Sequence, residues 1–245
     1  MAARLRLDIA LEARGLAQSR SRARDAIRRG TVSVNGEACS KPGQLVADSD
    51  RITLDDPAGR YVSRAALKLI AGLDASGIDP AGLICMDVGS STGGFTQVLL
   101  ERGAAKVHAV DVGTGQFHAS LRDDPRVVLL EQTNVKELTR DHIPEAIALL
   151  VCDISFVSIT KVLAAPLALC APHARAILLI KPQFEAGRDA IGRNGIVTDP
   201  AALARAEANV VSFMDEQGWQ LTTSTPSPIA GGDGNTEIVA SFYRR

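Results

Sequence analysis

Apolar positions change their rhythm once along this chain of 245 residues. From Arg4 to about Gly30 they recur at helical spacing, with Leu5, Ile9 and Leu16 expected to anchor a small core. Gly15 is placed to end a first helix and Ser19 to cap a second, since a serine oxygen can accept a free amide of the first turn. Thr31-Val32-Ser33-Val34 alternates as a strand and runs into Asn35-Gly36, a pair that tolerates the positive φ angles of a tight hairpin. Another strand, Arg51–Leu54, precedes Asp55-Asp56-Pro57-Ala58-Gly59, which reads as a linker.

From Tyr61 onward, short apolar runs alternate with longer amphipathic stretches. Strands are predicted at Leu83–Val88, Lys106–Val112, Val127–Leu130, Ile147–Asp153, Ala176–Lys181, Gln220–Thr225 and Glu237–Tyr243. Helices are predicted near Ser63–Ala75 and at Gly94–Arg102, Ile159–Cys170 and Pro200–Gln217. Such alternation predicts an α/β unit with a mostly parallel sheet covered on both faces.

Leu83 to Thr96 is the most informative stretch. An apolar strand ends in Asp87, and a Gly/Ser-rich turn opens a helix, the place where open parallel sheets bind ligands. The turn lacks the Lys-Ser/Thr ending of a phosphate-cradling loop. Its spacing, Asp-x-Gly-x-x-x-Gly-Gly, resembles motif I of methyltransferases rather than Gly-x-Gly-x-x-Gly. Candidate cofactor contacts are therefore Asp87, Gly89, Ser90, Ser91, Thr92, Gly93, Gly94 and Phe95. Asp111, closing the next strand, is placed to accept ribose hydroxyls, and Asn134 to meet adenine.

Charge is distributed unevenly, which the formal net of −1 conceals. Residues 1–41 hold nine Lys and Arg against four Asp and Glu, whereas residues 61–245 hold sixteen against twenty. A basic end on a mildly acidic body suits contact with phosphate. Cys39, Cys85, Cys152 and Cys170 form no Cys-x-x-Cys pair, so neither a zinc site nor a disulfide framework is expected, and no metal. Without a signal-like start or a run of membrane-spanning length, the expectation is a soluble cytoplasmic protein with no membrane partner.

Lys68 in Tyr-Val-Ser-Arg-Ala-Ala-Leu-Lys, Asp153 in Val-Cys-Asp-Ile-Ser-Phe, Lys181 in Leu-Ile-Lys-Pro-Gln-Phe-Glu and Glu237 in Gly-Asn-Thr-Glu complete the pattern. Together they resemble the Lys-Asp-Lys-Glu tetrad of FtsJ-like ribose 2′-O-methyltransferases. A ribose hydroxyl is a weak nucleophile, so its methylation needs a base or an orienting group beside the methyl donor. The resemblance implies S-adenosylmethionine as cofactor and Lys68, Asp153, Lys181 and Glu237 as catalytic residues. In that reading Lys181 is general base or hydroxyl-orienting group, and Lys68 tunes it and contacts RNA phosphate. Asp153 orients lysine and methyl donor, and Glu237 holds the lysine from the far side. Ile-Ser-Phe after Asp153, in place of Pro-Pro-Phe or Pro-Pro-Tyr, favours ribose oxygen over a base amine.

The N-terminal series from Arg6 to Gly36, with its ordered Arg-Leu-Asp, Ser-Arg and Val-Asn-Gly features, resembles the S4-type RNA-binding domain. Nearly the whole chain is similar to the TlyA family of ribosomal RNA cytidine-2′-O-methyltransferases, often labelled hemolysin A. This implies a Rossmann-like methyltransferase domain over residues 60–245, with a seven-stranded, mostly parallel sheet. A small α+β S4-like domain occupies 1–59, and 60–63 serve as linker. Ribosomal RNA would meet Arg4, Arg6, Arg20, Arg22, Lys41, Arg64 and Arg188, because planar guanidinium groups pair bidentately with phosphate. Phe156 or Phe184 is a candidate for stacking on a base. The end at Arg245, soon after the last strand, matches the shorter members associated with 23S rRNA alone. Rival readings are a cofactor-sensing assembly factor that performs no chemistry, methylation of a base, and a membrane-lysing protein.

Overall fold

The computed structural model describes residues 4–192, 195–232 and 234–245, which divide into two units, Met1–Arg60 and Tyr61–Arg245. In the first, β1 (Arg4–Arg6) leads directly into α1 (Leu7–Ala13), followed by α2 (Arg20–Arg28) and β2 (Val32–Val34). Then come β3 (Glu37–Ala38), β4 (Leu45–Ala47) and β5 (Ile52–Leu54). Strands β3-β2-β5 form one antiparallel sheet, and β1 pairs with β4. Asn35 and Gly36 take φ angles of 53° and 89°, as the hairpin pattern predicts. Ser19 caps α2 by accepting the Arg22 amide.

The helical reading of Arg4–Arg6 is corrected, and the core shifts with it. Because α1 begins only at Leu7, its buried face is Leu7, Ala10 and Leu11, which meets Ala23, Ile27, Val32 and Val46. Leu5 and Leu16, expected as anchors, are exposed. Each of the two buried leucines contributes about 2 kcal/mol by leaving water.

The second unit opens with α3 (Ala66–Ser76), β6 (Ile84–Val88), α4 (Gly94–Glu101), β7 (Lys106–Val110), α5 (Ala119–Arg122) and β8 (Val127–Leu130). It continues with β9 (Ile147–Cys152), α6 (Ala164–Ala168), β10 (Cys170–Ile180), α7 (Pro182–Glu185), α8 (Pro200–Glu216), β11 (Trp219–Pro226) and β12 (Ile238–Arg244). The seven strands lie in the order β11-β12-β10-β9-β6-β7-β8. Pairs from β8 through β10 are parallel, whereas β12 is antiparallel to both its neighbours.

Alternate residues of the central strands feed two cores. Leu150, Leu178 and Phe242 face a cluster with Met214 of α8, while Leu149, Ile177 and Val239 face Leu69 of α3 and Leu99 of α4. That is why β9 and β10 read as continuous apolar runs. The single helix expected at Ile159–Cys170 is instead a 3-10 turn, Ile159–Lys161, followed by α6. Pro166 lacks an amide hydrogen and is tolerated only in a first helical turn, so the helix starts late.

Candidate active site

Most of the chemical groups of interest lie where β6, β7, β8, β9 and β10 end, or where antiparallel β12 begins, and Lys68 joins them from α3. After β6 the backbone turns through Gly89, Ser91 and Gly93, with φ angles of 82°, 46° and 94°. A Cβ on Gly93 would stand 2.7 Å from Leu121 Cδ1, and one on Gly94 2.8 Å from Ser63 Cβ. Glycine is required at both positions, at Gly93 because a Cβ would drive into Leu121 and Phe117 of the core. Asp111, just after β7, closes the loop by accepting the Ser91 amide at 2.8 Å and the Gly113 amide at 2.7 Å.

Two cavities adjoin this loop, one of about 590 Å³ and one of about 160 Å³. Asp111, Val112, Asn134, Val135 and Phe156 line the larger, and Ser63, Ser90, Thr92 and Lys181 the smaller. Gly89, Ser91, Asp153 and Ser155 border both, so the two lie on either side of the same residues. Ser90 is buried, and its Oγ finds no hydrogen-bond partner among the described residues. Asp87 lines neither cavity. It is fully buried behind the loop, accepts the Thr96 hydroxyl at 2.7 Å, and has its pKa pushed up to about 7. Burial is the main cause, because an ion loses its hydration there, and the nearby Asp153 charge adds to it.

Lys68, Asp153, Lys181 and Glu237 converge from α3, β9, β10 and β12. Lys68 Nζ lies 2.5 Å from Glu237 Oε2 and 3.9 Å from Asp153 Oδ2. Lys181 Nζ lies 2.7 Å from Asp153 Oδ1 and donates to Ser155 Oγ at 2.7 Å. The spatial order is therefore Glu237, Lys68, Asp153, Lys181, Ser155. Both lysines are 6% exposed and Glu237 is 2% exposed, so two cations and two carboxylates balance in a space with little water. The lysine that Glu237 holds is Lys68.

The FtsJ-like methyltransferase family model matches residues 61–244, and the S4 domain model matches residues 5–52. A Mycobacterium tuberculosis protein named 16S/23S rRNA (cytidine-2'-O)-methyltransferase TlyA is 44% identical over 97% of this chain and 89% of its own. The chain belongs to the TlyA family. A Campylobacter jejuni member named 23S rRNA (cytidine-2'-O)-methyltransferase TlyA is 38% identical over 80% of this chain and 76% of its own. A solved Streptococcus thermophilus protein labelled a candidate hemolysin superposes with a TM-score of 0.77 at 36% identity, covering 100% of this chain and 90% of that one.

S-adenosylmethionine, the methyl donor of this family, fits the residues present. The bare glycine turn admits a close-lying ligand, and the orphaned Ser90 hydroxyl has a hydrogen bond to give. Asp111 stands at the rim with lone pairs remaining beyond its two amide partners. Asn134 lines the larger cavity beside Val112 and Val135, an apolar slot suited to a flat ring. Cys85, Cys152 and Cys170 are buried, and burial pushes each thiol pKa up to about 12, so none supplies a thiolate. Among the described residues no group of three His, Cys, Asp or Glu is arranged to hold a metal, and no helix is long and apolar enough to cross a membrane.

In the S4 unit of this TlyA-family chain, Arg6 and Arg20 meet on one buried carboxylate. Asp8 accepts Arg6 Nε at 3.0 Å, Arg6 Nη2 at 3.1 Å and Arg20 Nε at 3.0 Å. Both guanidinium groups remain about half exposed, with N–H groups to spare. Arg4 and Lys41 are exposed, and Arg22 binds Gln18 and the Ala58 carbonyl. Arg64, in the second unit, is half-buried. Arg188 opens a 3-10 turn, Arg188–Ala190, and its side chain lies outside the described part. Sequence reasoning passed over Ser155, Thr96 and Asp8. For Ser155 a signal existed, since Asp-Ile-Ser-Phe puts a hydroxyl two residues after the aspartate.

Proposed function

We propose that this chain transfers a methyl group from S-adenosylmethionine to the 2′-hydroxyl of a cytidine in ribosomal RNA, with 23S rRNA as target. The buried lysine–carboxylate cluster beside the glycine turn carries this reading. In it a lysine amine, held by Asp153 and Ser155, lines the smaller cavity beside the glycine turn. Large-subunit RNA is favoured because 23S is common to the names of the Mycobacterium tuberculosis and Campylobacter jejuni relatives.

Bound S-adenosylmethionine supplies an electrophilic methyl group. The chain's own residues do the rest. Lys181 Nζ serves either as general base, in its uncharged amine form after giving its own proton to solvent, or as the group that orients the ribose hydroxyl, and Asp153 and Ser155 fix where that nitrogen points. Lys68, itself held by Glu237, faces Asp153 from the other side. Phe156 is 91% exposed at the cavity rim, with its ring 5.8 Å from that of Phe184, and it offers a face for the target base. Its φ of 70° is strained for a bulky side chain, which supports a binding use over a packing one. The arginines around Asp8, with Arg4 and Lys41, grip RNA phosphate.

The test is methyl transfer from radiolabelled S-adenosylmethionine to separated ribosomal subunits, followed by nucleoside analysis, with Lys181→Ala in parallel. Label in 2′-O-methylcytidine of the large subunit, absent with the variant, is the expected result. Label on the small subunit would widen the target. Cofactor binding without any label would replace the enzyme reading with the assembly-factor one.

A further inference from the structure

Glu185 is buried, yet it has no part in the chemistry described above. It closes α7, the single turn that follows Lys181, and its carboxylate points back across the fold. Oε2 accepts the Ser158 hydroxyl at 2.6 Å and Oε1 accepts the Ile159 amide at 2.8 Å. That amide opens the 3-10 turn Ile159–Lys161, for which Ser158 supplies no side-chain cap. Burial is the largest influence on Glu185 and raises its pKa, while the two donors work the other way. A carboxylate taken out of water at this cost needs a use for both oxygens.

The segment it grips is the one that surrounds Lys181. In the Asp153–Ser158 segment Ile154 and Val157 pack against the core, whereas Ser155 and Phe156 between them are exposed. Two cross-links join it to the Lys181–Glu185 stretch. At one end Lys181 meets Asp153 and Ser155, and at the other Glu185 meets Ser158 and Ile159. The Phe156–Phe184 ring pair joins the same two segments between these links. Without the Glu185 link, the hydroxyl and carboxylate that aim Lys181 lose the hydrogen bonds that fix the far end of their segment to the Lys181 turn.

We infer that Glu185 is a positioning residue for methyl transfer, stapling the Asp153–Ser158 segment to the Lys181 turn so that Asp153 and Ser155 hold the Lys181 amine on line. This rests on the reading of Lys181 as base or orienting group. The test compares the full chain with Glu185→Ala, Glu185→Gln and Lys181→Ala, using labelled S-adenosylmethionine and large ribosomal subunits. Displacements of about 1 Å can cost about a hundredfold in rate, so Glu185→Ala should lower kcat at least tenfold, with KM for subunits and cofactor affinity within about threefold. Glu185→Gln should recover most of the rate, because its amide can accept from Ile159 N and donate to Ser158 Oγ. Wild-type kcat in Glu185→Ala beside a dead Lys181→Ala would overturn this inference alone. So would a slow Glu185→Ala that Gln does not rescue and whose melting temperature and cofactor affinity fall together. Full activity in Lys181→Ala would overturn the base reading, and this inference with it.

Discussion

Lys68 Nζ stands 2.5 Å from Glu237 Oε2, joining residues 169 positions apart. One lies in the first turn of α3 and the other immediately before β12, so the contact exists only once the helix has packed on the sheet. Asp153, between the two lysines, ties this pair to the Lys181 amine.

Replacing Glu237 with Gln should harm stability and activity together. Lys68 would keep only Asp153, at 3.9 Å, as compensation for its buried charge. Breaking one side of a buried pair costs about 3 kcal/mol, which urea denaturation should read as a lower midpoint with an unchanged slope. Methyl transfer should fall by about a hundredfold as Asp153 is drawn toward Lys68 and away from Lys181. A variant of normal stability and rate would show that the pair is dispensable.

Gly72→Ala offers a probe that touches no charged group. Its Cβ would lie 2.8 Å from Val239 Cγ1 and 2.9 Å from Ile177 Cγ2, both on stiff β-branched side chains. Helix α3 must then lift from the sheet, at a cost of about 1–3 kcal/mol. Lys68 sits one turn earlier on the same face, so activity should drop although position 72 is outside the site. Hydrogen exchange across α3 and a methyl-transfer assay would check both effects.

Asp8 makes the S4 unit acid-sensitive in a defined direction. Hydrogen bonding to Arg6 is the main reason that its pKa falls from 3.8 to about 2, with Arg20 adding to the effect. A lowered carboxylate pKa contributes stability that is fully present above 3.8 and is lost as pH falls through about 2. Asp8→Asn should therefore unfold more easily than the parent near neutrality, with the gap closing toward the acid end. RNA affinity should fall as well, since Arg6 and Arg20 lose the group that sets their direction.

For Asp87 the sign is opposite. Its folded-state pKa is raised from 3.8 to about 7, so its contribution is greatest below 3.8 and declines as pH rises toward about 7. Asp87→Asn keeps an acceptor for the Thr96 hydroxyl and removes the titration. Thermal melts of the cofactor-free protein should show the Asn variant gaining on the parent between about pH 5 and pH 7.5. Parallel curves across that range would mean that Asp87 does not titrate there.

Local backbone demands are legible in the order of residues alone. Asn35-Gly36 has to turn, Ser19 is suited to a cap, and the Gly89–Gly94 turn has to open a helix, because few residues adopt those φ angles or offer those acceptors. The four charged residues are readable as a set through their motifs, although no local rule tells which of them pair. The helical period over Arg4–Arg6 misleads, since three residues cannot distinguish a strand from a helix start; pairing with β4, some forty residues away, decides it.

By itself the sequence determined the alternation of strands and helices and the glycine turn, which rest on local preference and residue type, while the four charged groups were singled out by their resemblance to a family motif. Only the tertiary structure decided the order Glu237–Lys68–Asp153–Lys181–Ser155, the burial of Asp87 behind the loop, and the grip of Glu185 on Ser158 and Ile159. Those depend on which strand edges and helix turns come within hydrogen-bond reach, a distance set by packing across the sheet and not by any neighbour along the chain.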